Sequence, residues 1–381
     1  MRKAIIGVLV ILLSVFIFNE NEIYRKDIRN RLVIQGIGID MNDNGSYSVT
    51  IQAIDTNAQS AASSDDASQP PLKTFKTEGN TIYTALKSVT ELEGKVPLYS
   101  QNRVIILGKS ITEENMDDVI DFFVRDVENS SSVCIAAAEK TAGEILEAKN
   151  GDEYISARNI ETAINSNEFD GRIFRLQLYE LINRYNSSTK DFALPMLSVV
   201  EKDKEKSVEI IGTAVFNNTR YREKISKGET VFLNMLYNTI NNSALSYDYE
   251  DGKKVSLNIV GAETKRKIVM KDGMPSFKIT IKLKADIAEI TGGVSAKMEV
   301  KELDKINSTG EEYIKTESTK LINKMYNGYN SDALGLARLI YINEKNFFKE
   351  NEKNLDSVLQ KSNYEVEVNL EIRRIGHEFV V

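Results

Sequence analysis

The stretch Gly36-Ile37-Gly38-Ile39-Asp40 holds the residue types of a phosphate cradle: two glycines and an acid inside an apolar run. A dinucleotide loop places its glycines where a strand turns into a helix, so that free amides at the helix start face a pyrophosphate. Here the third glycine is missing and the chain runs on into Asn42-Asp43-Asn44-Gly45, a hairpin signal. Gly36 and Gly38 are therefore expected to serve close packing or a bulge within a strand, and Asp40 to be structural. Other chemistry is scarcer still. The only histidine is His377 and the only cysteine is Cys134, which sits in an apolar strand, so no His/Cys metal cluster is expected. Nucleophilic catalysis would need His377 as its base, and there is no G-x-S-x-G elbow. Among 56 acidic residues, pairs such as Asp117 and Asp118 read as solvated helix faces. Two-carboxylate glycoside hydrolysis stays open by counting alone, but without tryptophan there is no clear sugar platform. The densest basic cluster, Lys265 to Lys267, reads as a solvated strand end. No catalytic, metal, cofactor or lipidation residue is assigned.

The elements that would position any site follow from the hydrophobic pattern. Residues 31–41 form an apolar strand, and Tyr47 to Asp55 alternates, giving a hairpin whose second strand is half-buried. Residues 56–71 are small and polar with two of the five prolines, and are expected to be a mobile loop. Three strand-helix units come next, with helices from about Asn80 to Glu93, Ile111 to Glu128 and Ala142 to Lys149. The last two should open with capping boxes, Ser110 to Glu113 and Thr141 to Glu144. Two more helices are expected near 152–166 and 171–185. The polar run at 201–206 marks a boundary between a domain at 20–200 and another at 207–381. In the second, Phe277 to Ile287 and Tyr364 to Ile375 alternate apolar with polar residues, as long antiparallel strands with one wet face do, and helices are expected near 310–327 and 331–349. The expected class is α+β or mixed α/β: multidomain, with mixed and antiparallel sheets flanked by helices.

Composition narrows the partners. The net charge of −7 gives no electrostatic reason to expect nucleic acid. Ala4 to Phe18 is an apolar run of fifteen residues behind Arg2 and Lys3. As a helix it covers about 22 Å, signal-peptide length rather than a full bilayer core. No A-x-A-like cleavage site follows it, so residues 1–19 are expected to act as an uncleaved signal-anchor with everything after Asn19 outside the membrane.

Several motifs together resemble the Ger(x)C family, the C subunits of spore nutrient germinant receptors. LVIQGIGID with its hairpin is similar to the family's opening, and DFFVRDVE places Arg125 and Asp126 at its Arg-Asp pair. VCIAAAEKTAGEIL resembles its strand and A-x-E-I-L helix; IIGTAVF carries Gly212 and Phe216. DALGLARLI supplies Asp332 and Gly335, and EIRRIG ends at Gly376. The resemblance implies a non-enzymatic subunit on the outer face of the spore inner membrane, working with membrane-embedded A and B subunits. It also implies a lipobox cysteine, which SVFIFNENE at 14–22 lacks. The reading from another class is an extracytoplasmic solute-binding or carbohydrate-active protein. That reading would require a cleft of convergent carboxylates and aromatic rings within residues 30–200.

Overall fold

The computed structural model describes residues 31–55, 72–150, 153–203, 205–291, 300–375 and 378–379. The apolar segment 1–19, the loop 56–71, Gly376 and His377 lie outside the described residues. Among the described residues no helix is long and apolar enough to cross a membrane.

Strands β1 (Arg31–Met41) and β2 (Tyr47–Asp55) form the expected hairpin, and β3 (Leu72–Gly79) pairs with β2 at the sheet edge. The chain continues through α1 (Ile82–Glu93), β4 (Val96–Leu98), β5 (Val104–Leu107), α2 (Lys109–Glu114) and α3 (Met116–Arg125). Then come β6 (Cys134–Ala138), α4 (Ala142–Leu146), the short pair β7 (Lys149–Asn150) and β8 (Glu153–Tyr154), α5 (Ala157–Asn165) and α6 (Leu178–Tyr185). Strands β9 (Phe192–Lys202), β10 (Glu205–Asn217) and β11 (Arg220–Ile225) complete a sheet of order β11-β10-β9-β6-β5-β1-β2-β3, with β4 beside β1. Its centre is parallel, because β1, β5, β6 and β9 pair in the same direction. Central parallel strands are covered on both faces, which is why β5 and β6 read as unbroken apolar runs. Ile105, Leu107, Ile135 and Ala137 enter one core; Val104, Ile106, Cys134 and Ala136 enter the other, under α4 and α5.

Helix α7 (Lys227–Tyr237), opened by a capping box of Ser226 and Glu229, leads to β12 (Ser243–Glu250), β13 (Lys253–Lys271) and β14 (Met274–Ile290). Helix α8 (Val300–Asn323) ends in a π-turn at Lys324–Gly328, and α9 (Ala337–Asn343), α10 (Lys345–Asn351) and α11 (Leu355–Lys361) carry the chain to β15 (Asn363–Ile375) and β16 (Glu378–Phe379). The second sheet has the order β12-β13-β14-β15-β16. Phe277, Ile279 and Ile281 of β14 share one continuous core with Ile306, Ile314 and Leu321 of α8 and with the first sheet. The molecule is thus of the mixed α/β class, with mixed and antiparallel sheets flanked by helices.

Several expectations are corrected. Strands β14 and β15 pair parallel, Phe277 beside Tyr364: side-chain alternation is the same in either direction, and the helical crossover carries the chain back to the end where β14 began. Within the polar run at 201–206, Glu201 and Lys202 of β9 pair with Lys206 and Glu205 of β10, and the first sheet continues to Ile225. Strand β2 has no wet face: Ser48, Thr50 and Gln52 are buried beneath α4 and α5. Gln52 meets the carbonyls of Leu146 and Ile155 and the N–H of Ala157. The capping box at Ser110 does not form; its hydroxyl accepts the Met41 N–H, Gly108 caps α2, and the helix breaks at Asn115. Thr141 does cap α4, accepting the Glu144 N–H. The helix expected from 171 starts at Leu178 and the one from 152 at Ala157, while residues 331–336 form a loop rather than a helix start.

Candidate functional site

Three regions gather the residues singled out by type and motif. The first is the GIGID strand. The pairing of β1 with β2 slips between Ile34 and Gly36, the expected bulge. A Cβ on Gly36 would lie 2.8 Å from Ala157 Cβ, and one on Gly38 3.1 Å from Ala142 Cβ, so both glycines let α4 and α5 pack on the strand. Asp40 accepts the N–H groups of Ala142 and Gly143, each at 2.9 Å. A cradle would offer those amides to a phosphate; here a side chain of the same protein already occupies them. Burial raises the Asp40 carboxyl above the ordinary range, opposed by these two N–H donors.

The second region joins the two sheets. Asp191, fully buried just before β9, accepts the N–H of Asn218 at 2.6 Å and of Asp332 at 2.5 Å. The Asp332 carboxylate accepts the Tyr326 hydroxyl at 2.7 Å and the N–H groups of Leu336 and Ala337. Around it, Ser331 donates to the Phe216 carbonyl, Asn217 to the Asn330 carbonyl, Arg266 to the Leu334 carbonyl and Tyr237 to the Ala333 carbonyl. Phe216 stacks on Phe192 at 4.6 Å. Gly335 adopts φ +73°, and a Cβ there would meet the Arg184 guanidinium at 2.2 Å. Gly212 lies at a bulge in β10, where a Cβ would stand 2.3 Å from the Ile225 carbonyl oxygen. Burial pushes the Asp191 carboxyl up to about 8, against the lowering effect of its two N–H donors. Asp332 is raised for the same reason. These acids bind their own backbone, and their arrangement fixes the 329–337 loop between the sheets.

The third region is a groove of about 640 Å³ between α1 and α3. Arg125 holds Asp121, four residues back, through two hydrogen bonds of 2.9 and 3.0 Å, and not its neighbour Asp126. Asp126 accepts the N–H groups of Glu128 and Asn129, closing the turn after α3. Asp117 and Asp118 are not simply solvated, since Thr219 and Tyr47 donate their hydroxyls to them. That bond and burial push the Tyr47 hydroxyl up to about 12, burial contributing most. Cys134 is a buried thiol, raised by burial. Gly376, the remaining motif position, lies outside the described residues.

Sequence reasoning missed Asp191, Arg184, Tyr237 and Tyr326. Asp191 had a signal, a lone acid immediately before the apolar strand Phe192 to Leu197. For the others, only the three-dimensional convergence of α6, α7 and the π-turn reveals a role.

The family description "Spore germination protein N-terminal domain" matches residues 24–199, and "Spore germination B3/ GerAC like, C-terminal" matches residues 211–376. The chain is 21% identical to spore germination protein B3 of Bacillus subtilis (strain 168), covering 92% of this chain and 93% of the relative. Spore germination protein YndF of the same organism is 20% identical over 72% of this chain and 67% of its own length. The crystal structure of the GerBC protein shares the fold with a TM-score of 0.59, at 17% identity, over 88% of this chain and 96% of that one. With matches along nearly its whole length, the chain belongs to the Ger(x)C family, the C subunits of germinant receptors in spore germination.

Proposed function

We propose that this chain is a non-enzymatic, extracytoplasmic subunit that supports assembly and signalling of a spore nutrient germinant receptor, in contact with membrane-embedded A and B subunits. In this reading residues 1–19 hold it on the outer face of the spore inner membrane. The observation that carries the non-enzymatic part is the use of its buried acids: Asp40, Asp191 and Asp332 accept hydrogen bonds from their own chain. Burial raises all three, but each is enclosed by the fold, where a substrate does not reach it. The α1–α3 groove does combine rings and carboxylates, as a solute-binding or carbohydrate-active protein would need. Of its acids, however, Asp121 is held below the ordinary carboxylate range by Arg125. A glycosidase acid must instead be raised.

The test is a deletion in a strain stripped of redundant receptors. Spores should form normally and lose the germination response to particular nutrients; an unchanged response to every nutrient overturns the reading. The full chain should also sediment with spore membranes, and removal of residues 1–19 should release it.

A further inference from the structure

Beside the α1–α3 groove lies a second one, of about 390 Å³, lined by Arg31, Lys87, Val96 and Leu98, with Glu128 on the wall of both. The ion pair of Lys87 and Glu128, 3.8 Å apart, lies between them. Along this track Val127 is 93% exposed, Tyr83 58% and Val96 42%, a row of large apolar side chains left to water. The rim is acidic. Asp118, Asp121, Asp126 and Glu128 face the first groove, with Arg125 held by Asp121 and Lys87 3.8 Å from Glu128. The second groove carries Arg31 and Lys87 against Glu128 alone, so the acidic excess belongs to the first groove.

The apolar floor alone would suit many ligands, and the carboxylates narrow the choice. An anionic lipid surface would be repelled, and a second copy of the same face would bring like charges together across a two-fold axis. A polypeptide with basic groups beside large apolar ones satisfies both floor and rim, as amphipathic segments do in grooves between helices. Position agrees with this. Arg31 lines the second groove, and the thirteen residue steps from Phe18 limit its distance from the apolar segment to about 45 Å. We propose that these adjoining grooves dock a partner-subunit segment that sets Lys or Arg side chains on the acidic rim of the first and large apolar ones along both. The inference rests on the receptor-subunit reading and names the surface that reading leaves open.

The test uses the full chain in sporulating cells with its A and B subunits. A photo-reactive benzoyl-phenylalanine replaces Val127 or Tyr83 in the groove, or Val269 on β13 as a control, since that residue is also exposed. Adducts to an A or B subunit are expected from positions 127 and 83 and not from 269, and the captured peptide should contain Lys or Arg. The double variant Asp121→Lys/Glu128→Lys changes exposed groups only. It should lower the adduct yield about tenfold while leaving the melting temperature unchanged. Adducts to lipid or to a second copy, capture of a segment without basic residues, or an unchanged yield after charge reversal would each overturn the proposal. Co-purification with A and B subunits but no groove adduct overturns the docking surface and leaves the receptor role standing. Absence of both overturns the two together.

Discussion

Around Asp332 the hydrogen bonds join distant parts of the chain, whereas in the α1–α3 groove most of them stay within one helix and the turn that follows it. Asp191 reaches Asp332, Phe216 reaches Ser331, and Arg266 reaches Leu334. In the groove Asp121 turns to Arg125 and Asp126 to Glu128, with Tyr47 to Asp118 as the long-range exception. A long-range buried network makes each member necessary to the fold, because its loss strands partners that water cannot reach. A local, exposed set leaves its side chains exchangeable and their outer faces open. Motif positions therefore divide: Gly36, Gly38, Asp40, Gly212, Phe216, Asp332 and Gly335 shape the interior, while Arg125 and Asp126 lie on a surface that can meet something else.

That contrast can be broken by substitution. The largest effect is expected at Asp332→Ala, which leaves the Tyr326 hydroxyl and the Leu336 and Ala337 N–H groups without their acceptor. A loss of about 3 kcal/mol or more in denaturant unfolding is expected; a loss below about 1 kcal/mol would show the junction to be dispensable. A pH-dependent effect is expected at Asp191. Its carboxyl is raised to about 8, so the folded chain holds this proton more tightly than the unfolded chain does. Its contribution to stability therefore falls as pH rises from the ordinary carboxylate range to about 8, and levels off above. Asp191→Asn removes that slope, so melting temperatures measured from about pH 5 to about pH 9 should shift in the variant's favour relative to the parent. A constant difference across that range would contradict the raised carboxyl. The smallest effect on stability belongs to the groove: Val127→Ser should unfold within about 0.5 kcal/mol of the parent, because its side chain is already in water. A larger loss would mean that the groove is part of the fold rather than a free face.

Much of the architecture is legible in the residues. The β1–β2 hairpin follows from Asn42 to Gly45, the central strands from their unbroken apolar runs, and the packing role of Gly36 and Gly38 from the missing third glycine. Other features depend on what is brought alongside. Ser48, Thr50 and Gln52 look like a wet face until α4 and α5 cover them. Ser110 looks like a helix cap until β1 offers it the Met41 N–H. The direction of β15 is hidden because a strand's alternation has no sense. The groove is hidden because Tyr83 and Val127 are unremarkable singly and meet only when α1 and α3 lie together.

The parallel pairing of β14 with β15 also sets an order of events. Strands β12, β13 and β14 follow one another through tight turns and can pair as soon as they exist. Strand β15 must wait for the whole run of helices from α8 to α11, because the chain reaches its partner only after that crossover. Contacts of such sequence separation form slowly, since loop closure precedes any gain from pairing. Until then the edge of β14 is an open template for any other strand. During synthesis the second sheet therefore gains β15 only once Asn363–Ile375 has emerged, and a chain cut short before Asn363 would carry that unpaired edge permanently.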